Sequence, residues 1–346
     1  MSTLMPNQGA WDGSVAAGHE RDGDFQRLVE PYRTEIRLYC YRMTGSLPDA
    51  EDLVQETFLR AWRAWGAFEG RSSPRTWLYR VATNVVLNFL ASRGRKVRTL
   101  PDLLGPATNM VPEGEPMPRR AWIDPYPDSW LNGIADAGPG PEARYETHEA
   151  VQLAFVAAIQ RLPPRQRAVL ILRDVLAWSA PEVAVLLDGT VAGVNSALQR
   201  ARETMEKSRG RSVSRTLSSD DLSALLDRYV RAFEDADVEA LVATLREDAT
   251  YSMPPWAQWF VGARAIGGFF RQKLAEYGGI RLVAIGANQQ PAFAGYTPAP
   301  SGSLYVPHSL QVLTVGTDGI EAMTWFVPPL GPELFGAFGL PPQLGA

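Results

Sequence analysis

Four side chains in the stretch SLPDAEDLVQETFLRAW, residues 46–62, are of the types that grip a positively charged partner: Asp49, Glu51, Asp52 and Glu56. On a helix, Asp49, Asp52 and Glu56 follow one face, which Arg60 and Arg63 continue, while Val54, Phe58, Ala61 and Trp65 form an apolar stripe on another. Two readings fit this pattern. Early carboxylates favour the positive end of a helix, Ser46 can cap it, Pro48 suits its first turn, and Glu56 can pair with Arg60 one turn on. The second reading is a docking face for a basic protein.

The next stretch has the opposite sign. RSSPRTWLYRVATNVVLNFLASRGRKVR, residues 71–98, carries seven basic residues and no acid. Phe68, Trp77, Tyr79 and Phe89 are interleaved with Arg71, Arg75 and Arg80. Cations neutralise phosphates and aromatic surfaces hold unstacked bases, so this mixture suits single-stranded DNA; the alternative is a solvated basic helix with core aromatics. A third stretch, LPPRQRAVLILRDVLAWSAPEVAVLLDGTVAGVNSALQRARETMEK, has helix-turn-helix spacing, with Ser179 capping one helix, a tight DGT turn, and Thr190 capping the last. Val194, Leu198, Ala201 and Met205 then point inward, and Asn195, Ser196, Gln199, Arg200 and Arg202 point out, able to read base edges and hold phosphate. A plain helical hairpin is the alternative there.

These elements sit in a chain of 346 residues, long enough for two or three domains with real cores. The net charge of −4 conceals a segregation. Residues 25–98 hold 13 basic and 7 acidic side chains and residues 161–211 hold 9 and 5, whereas residues 99–160 hold 3 and 9 and residues 212–346 hold 8 and 13. Two basic blocks separated by acidic sequence imply two nucleic-acid contacts with something acidic attached. Cys40 is the single cysteine, which excludes an internal disulfide and a thiolate metal cluster; no metal site and no cofactor is expected. No apolar run is long enough to span a bilayer, and the polar residues 1–24 lack an apolar signal core, so a cytoplasmic protein with a flexible leader is expected.

The coarse organisation follows. Residues 25–96 read as a compact all-helical domain. Nine prolines between Pro101 and Pro141 make residues 97–146 a linker without its own core. Helices resume over residues 147–208, and residues 209–218 form a shorter linker. Residues 219–346 give three helices followed by antiparallel strands, with GTDG as a hairpin turn, a separate α+β domain.

MTGSLPDAEDLVQETFLRAW, SSPRTWLYRVATN and LPPRQRAVLILRDVLAWSAPEVA with VNSALQRAR closely resemble the group-four, or extracytoplasmic-function (ECF), sigma factors of bacterial RNA polymerase. The resemblance covers sigma region two at residues 25–96 and region four at residues 147–208. The rest is similar to the sigma G subgroup, in which a SnoaL-like (NTF2-like) cone barrel follows region four; DRYVRAFEDADVEALVATLREDATYSMPP is similar to the opening of that domain. The resemblance implies a multidomain fold of two all-α domains plus that α+β barrel, and a factor that takes core polymerase to promoters without covalent chemistry. It implies that Asp49, Asp52, Gln55 and Glu56 dock on the coiled-coil clamp of the β′ subunit, where complementary charge sets orientation and on-rate, with the β flap as a further contact. It implies that Phe68, Val81 and Asn84 form the pocket for a flipped −10 base, that Arg80 or Arg75 holds the backbone, and that Asn195, Ser196, Gln199, Arg200 and Arg202 meet the −35 element as duplex.

The long connector departs from compact ECF factors. In WIDPYPDSW, Pro125 and Pro127 favour extended backbone, while Trp122, Tyr126 and Trp130 offer large apolar surfaces. They are expected to dock on the chain's own C-terminal domain or to thread into the polymerase cleft, against the alternative of a disordered tether. In that last domain Asp248, Tyr251, His308 and Glu321 are candidate acid–base groups, with Trp256, Trp259, Phe260 and Trp325 as candidate lining; the alternative is that they are structural. The favoured expectation is a regulatory module, with a small apolar ligand in the cone as a candidate partner and any anti-sigma factor unspecified. Rival readings are a stand-alone helix-turn-helix regulator and a SnoaL-type cyclase or isomerase fused to a DNA-binding protein.

Overall fold

The computed structural model describes residues 23–92, 97–112, 114–132, 150–208, 217–300, 302 and 304–345. The first domain is built on three helices, α1 (Arg33–Thr44), α2 (Leu47–Ala64) and α3 (Pro74–Ser92). Gly45 ends α1 in the left-handed region at φ 67°, its N–H donating to Tyr41 O, which a side chain with a Cβ would adopt only under strain. The chain then re-enters helix at once, because Ser46 Oγ accepts from Asp49 N at 3.3 Å and Pro48 occupies the first turn. Val54, Phe58 and Ala61 are buried as the periodicity requires, and Tyr39 ties α1 to α3 through a 2.9 Å hydrogen bond with Thr83.

The second helical unit comprises α4 (Leu153–Gln160), α5 (Pro164–Leu170), a π-helical turn (Ile171–Val175), α6 (Ala180–Leu186) and α7 (Val191–Ser208). Its first helix begins at Leu153 rather than near residue 147, with residues 147–149 outside the described residues. Ser179 and Glu182 cap α6 reciprocally, and Thr190 Oγ1 accepts from Gly193 N at 3.1 Å to start α7. Two buried guanidinium groups join this unit to the first. Arg42 Nε donates to Ala150 O at 3.0 Å. Arg167 donates to Met43 O and to the carbonyls of Ile159, Gln160 and Leu162, while Gln160 Nε2 donates to Arg42 O at 2.9 Å. Burial lowers both arginines to about 10.

The proline-rich stretch is not a coreless linker. Residues 97–132 form a strap with turns of 3-10 helix, and Trp122, Ile123 and Tyr126 are fully buried within it. Thr99 bridges Trp122, and Pro127 bridges Ala287 of the last domain. Proline removes backbone donors and so prevents a sheet, but it also lowers the entropy lost when an extended segment is pinned by its aromatic side chains. Asp124, wholly buried, accepts from Leu47 N at 3.0 Å at the start of α2 and faces Arg119 at 3.4 Å. Burial pushes its carboxyl above the usual range, against the pull of Arg119 and Arg98.

The last domain pairs helices α8 (Ser219–Glu234), α9 (Val238–Val242) and α10 (Ala263–Lys273) with a curved sheet of β1 (Leu245–Ser252), β2 (Trp259–Val261), β3 (Arg281–Ala287), β4 (Gln290–Pro298), β5 (Leu304–Gly316), β6 (Gly319–Phe326) and the short β7 (Leu344–Gly345). The order is β2-β1-β6-β5-β4-β3, with β7 on β5. This is the expected SnoaL-like α+β cone. The sheet is mixed, not purely antiparallel, because β1 runs parallel to β6. The inner face has its own core around Tyr229, Phe233, Phe270 and Trp325. The outer face, with Leu310, Val312 and Phe326, shares one continuous core with both helical units and the strap.

The β3–β4 hairpin turns at Asn288 and Gln289, both left-handed at φ 56° and 54°. Its tip is driven into the junction of all the other parts. Asn288 is fully buried. Its backbone N–H donates to Tyr126 O and its Oδ1 accepts from Tyr126 N, each at 2.8 Å; its Nδ2 donates to Val151 O at 2.7 Å and to Tyr41 OH at 3.1 Å. Gln289 N donates to Asp128 Oδ1, and Gln290 Oε1 accepts from Leu153 N at the start of α4. Asn288→Gly keeps the left-handed backbone and deletes only the side-chain bonds. It is expected to lower stability in urea unfolding by ~1–3 kcal/mol for each buried group left unpaired, and to open the strap to proteolysis before the domain cores unfold.

Candidate nucleic-acid and polymerase interfaces

On α2, Asp52 and Gln55 are exposed and Glu56 is half-buried, its carboxylate 2.6 Å from Arg60. Asp49 does not belong to that face. It is 7% exposed and its carboxylate is turned to the strap, 2.9 Å from Arg98 Nη2. The helical period placed it correctly, but an arginine forty-nine residues away in sequence claimed it. Leu59, one turn beyond Gln55 and outside the apolar stripe, stands 43% exposed beside the acidic groups. Its only sequence signal was an apolar residue out of register.

The basic stretch begins with an aromatic stack. Phe68 lies 4.7 Å from Trp77 and 5.6 Å from Trp65, all three partly exposed at the loop before α3. Ser73 Oγ accepts from Thr76 N and starts that helix. Along α3, Val81 is half-exposed and Asn84 exposed. Arg75 and Arg80 already hold carboxylates: Arg75 Nε donates to Glu35 Oε2 at 2.8 Å and Arg80 Nη2 to Asp188 Oδ1 at 2.8 Å. Asp188 comes from the turn of the helix-turn-helix unit. Trp178 of that unit packs 5.2 Å from the Tyr79 ring, with the Arg75 guanidinium 5.7 Å away. Neither Asp188 nor Trp178 was singled out from the sequence, since nothing local marks a contact to a distant helix.

On α7, Val194, Leu198 and Ala201 are buried and Met205 partly so, which leaves Asn195, Ser196, Gln199, Arg200 and Arg202 on the open face. A cleft of about 450 Å³ runs along it, lined by Arg173, Asn195, Gln199 and Arg202 among others. Gln199 Nε2 donates to Glu203 at 3.0 Å, and Arg202 grips Asp174 with two bonds of 2.7 and 2.9 Å. Arg200 has neither constraint and is the most available to a phosphate or base.

Sigma-70 region 2 matches residues 28–96 and sigma-70 region 4 matches residues 152–205. The ECF RNA polymerase sigma factor SigG of Mycobacterium tuberculosis (strain ATCC 25618 / H37Rv) is 45% identical over 331 residues, which span 94% of this chain and 86% of that protein. This chain belongs to the ECF RNA polymerase sigma factors. The RNA polymerase sigma-H factor of Pseudomonas aeruginosa is 31% identical over 183 residues, 53% of this chain and 84% of that protein. The crystal structure of the M. tuberculosis ECF sigma factor SigJ shares the fold, with a TM-score of 0.58 at 22% identity over 92% of this chain and 99% of that one.

As an ECF sigma factor the protein directs core RNA polymerase to promoter DNA and is not an enzyme. The acid–base candidates of its C-terminal domain are engaged in structural contacts. Asp248 lies on strand β1, and it and Glu321 both bond Arg246. Tyr251 is buried against Phe260, Phe269, Phe270 and Trp325. His308 packs 4.9 Å from Tyr277, and burial lowers it to about 4, so it is neutral at pH 7. Aromatic side chains fill the cone expected to hold a small apolar ligand, and Trp259 instead holds the strap, its Nε1 donating to Gly105 O at 2.8 Å. None of the helices among the described residues is long and apolar enough to cross a membrane, and no group of three metal-ligating side chains occurs among them.

The sigma factor's surfaces should fail separately. If the Asp52–Glu56 face docks on a basic surface of core polymerase, Asp52→Arg with Glu56→Arg is expected to abolish co-purification, because like charges set against one another cost several kcal/mol. Asn84→Ala should impair promoter opening on duplex, by permanganate footprinting, and recover in part on a pre-melted bubble. Arg200→Ala should lower −35 discrimination by ~1–3 kcal/mol if it reads a base, and weaken all sequences alike if it holds only phosphate.

Proposed function

We propose that the strap and the C-terminal domain hold regions two and four in a closed arrangement that limits initiation until polymerase or promoter DNA separates them. The observation that carries this reading is the buried tip of the β3–β4 hairpin. Asn288 bonds region two at Tyr41, the strap at Tyr126 and the entry to region four at Val151. A fused domain needs no separate partner to reach its target, because a short tether supplies effective concentrations near millimolar.

Within this reading the domain limits are those of the sequence: region two at residues 25–96, region four at 147–208 and the SnoaL-like domain at 219–346. Residues 97–132 act as a strap rather than a spacer. Asp52, Gln55 and Glu56, with Leu59, meet the β′ clamp. Phe68, Val81 and Asn84 receive the −10 base, Arg80 and Arg75 hold the strand, and the open face of α7 meets the −35 duplex. Trp122, Tyr126 and Trp130 are the strap's share of the clamp: two are fully buried, and Trp130 lies 4.5 Å from the Arg37 guanidinium. The factor works in the cytoplasm, with polymerase and promoter.

The test compares run-off transcription at equal polymerase occupancy by the full chain, by Asn288→Gly, and by a chain ending near Ser208. Both changed proteins are expected to initiate faster on the same promoter. Slower initiation by both would make the domain an assistant, and identical rates would make it a passenger.

A further inference from the structure

We propose that Asp188, in the turn of the helix-turn-helix, is a built-in competitor for the DNA phosphate that Arg80 is placed to hold. This goes beyond the clamp of the C-terminal domain, since the competitor belongs to region four itself. It rests on the reading of Arg80 as a strand-holding residue.

The contact is specific in its geometry. Arg80 Nη2 lies 2.8 Å from Asp188 Oδ1, the spacing of a charge-assisted hydrogen bond, so the carboxylate oxygen stands where a phosphate oxygen would stand. It is not an isolated touch. The same helix carries Arg75, whose guanidinium is held by Glu35 at 2.8 Å and lies 5.7 Å from the Trp178 ring, while Tyr79 packs 5.2 Å from that ring. Both arginines read as strand-holding therefore have anionic partners in the closed form, and region four lies over the helix that carries them.

The local backbone supports a dedicated turn. Asp188 is left-handed at φ 47°, a conformation that most side chains avoid and that glycine, asparagine and aspartate tolerate best. Arg165 Nη2 fixes the turn by donating to Leu187 O at 2.7 Å, and Gly189 N donates to Ala184 O at 2.8 Å. The turn would form with Asn or Gly at this position. Aspartate adds only the charge, and Arg80 is the cation it meets.

The pair is also built to be displaced. Arg80 is 50% and Asp188 67% exposed at the side chain, and exposed pairs of this kind hold weakly and are screened by salt. A DNA strand offers several phosphates where Asp188 offers one carboxylate. Once polymerase or the −35 duplex draws the helix-turn-helix away, Arg80 is freed, so strand capture follows separation of the two regions.

The experiment measures binding of a fluorescein-labelled oligothymidylate to the full-length protein by anisotropy at low salt, because phosphate contact needs no promoter sequence. Asp188→Asn keeps the left-handed turn and removes the charge; Asp188→Gly is the second variant should the first be poorly folded. Either is expected to tighten binding about two- to fivefold, and Arg80→Ala to weaken it. Adding Asp188→Asn to Arg80→Ala should then bring no further change. A gain that persists undiminished in the Arg80→Ala background would reduce Asp188 to a general electrostatic repeller and overturn the proposal, as would no gain at all. If Arg80→Ala alone leaves binding unchanged, the strand-holding reading of Arg80 fails first, and the competitor with it.

Discussion

A primary amide sealed from water must find every partner within the protein, and Asn288 finds its partners in three different parts of the chain. That constraint organises the molecule. Tyr126 can be buried in the strap because its backbone N–H and C=O are both answered by Asn288. The entry to region four is fixed because Val151 O and Leu153 N are answered by Asn288 and Gln290. Region two is reached through Tyr41, whose hydroxyl donates to Asp124 O while taking a bond from the amide. Displacing the tip would leave these groups unpaired together, so the junction should behave as one cooperative unit.

The charge pattern of the chain makes sense on this frame. Acidic and basic blocks that serve different macromolecules would attract one another in the free protein, and here they do so in an ordered way. Asp49 is taken by Arg98 of the strap, Arg119 reaches Asp124 and Glu333 of the last domain, and Arg80 is taken by Asp188. The groups that remain open, Asp52, Gln55, Asn84 and Arg200, are the ones a partner can meet first. A closed sigma factor of this kind is neutralised from within rather than merely shielded.

Much of this was legible in the sequence, and the exceptions share a cause. Local signals gave the helix caps at Ser46, Ser179 and Thr190, the inward and outward faces of α7, the GTDG hairpin and the class of the last domain, since each depends on residues within a few turns of one another. Strand β1 was hidden because Leu-Arg-Glu-Asp has helix-forming composition and becomes a strand only by pairing with β6, seventy-odd residues on. The β3–β4 turn was hidden because Asn-Gln lacks the glycine that usually marks two left-handed residues in succession. The strap was legible at its aromatics, which marked a segment that docks on the last domain, but not along its length, because proline content reports the absence of regular structure and not of packing. Asp49 shows the same limit at the level of a single site: the sequence named its chemistry, but the partner that uses it, Arg98, lies in the strap.

The strengths of the contacts also decide where the molecule can open. Between regions two and four, the buried bonds run from Arg42 Nε to Ala150 O, from Arg167 to Met43 O and from Gln160 Nε2 to Arg42 O, with no carboxylate among the partners the structure shows for either arginine. When such a seam parts, water can replace each bond, so the net loss per bond is only about 0.5–1.5 kcal/mol, and the guanidinium groups regain the hydration that burial took from them. The outer face of the sheet has no such exchange, because Leu310, Val312 and Phe326 would be left bare. Opening is therefore favoured along the arginine seam and at the exposed Arg80–Asp188 pair, with the C-terminal domain retained on the strap. Helices α5 to α7 can then swing out to meet duplex DNA while the Asn288 junction, from Tyr41 and Tyr126 to Val151 and Leu153, stays joined, an order of events set by which polar groups have water to fall back on.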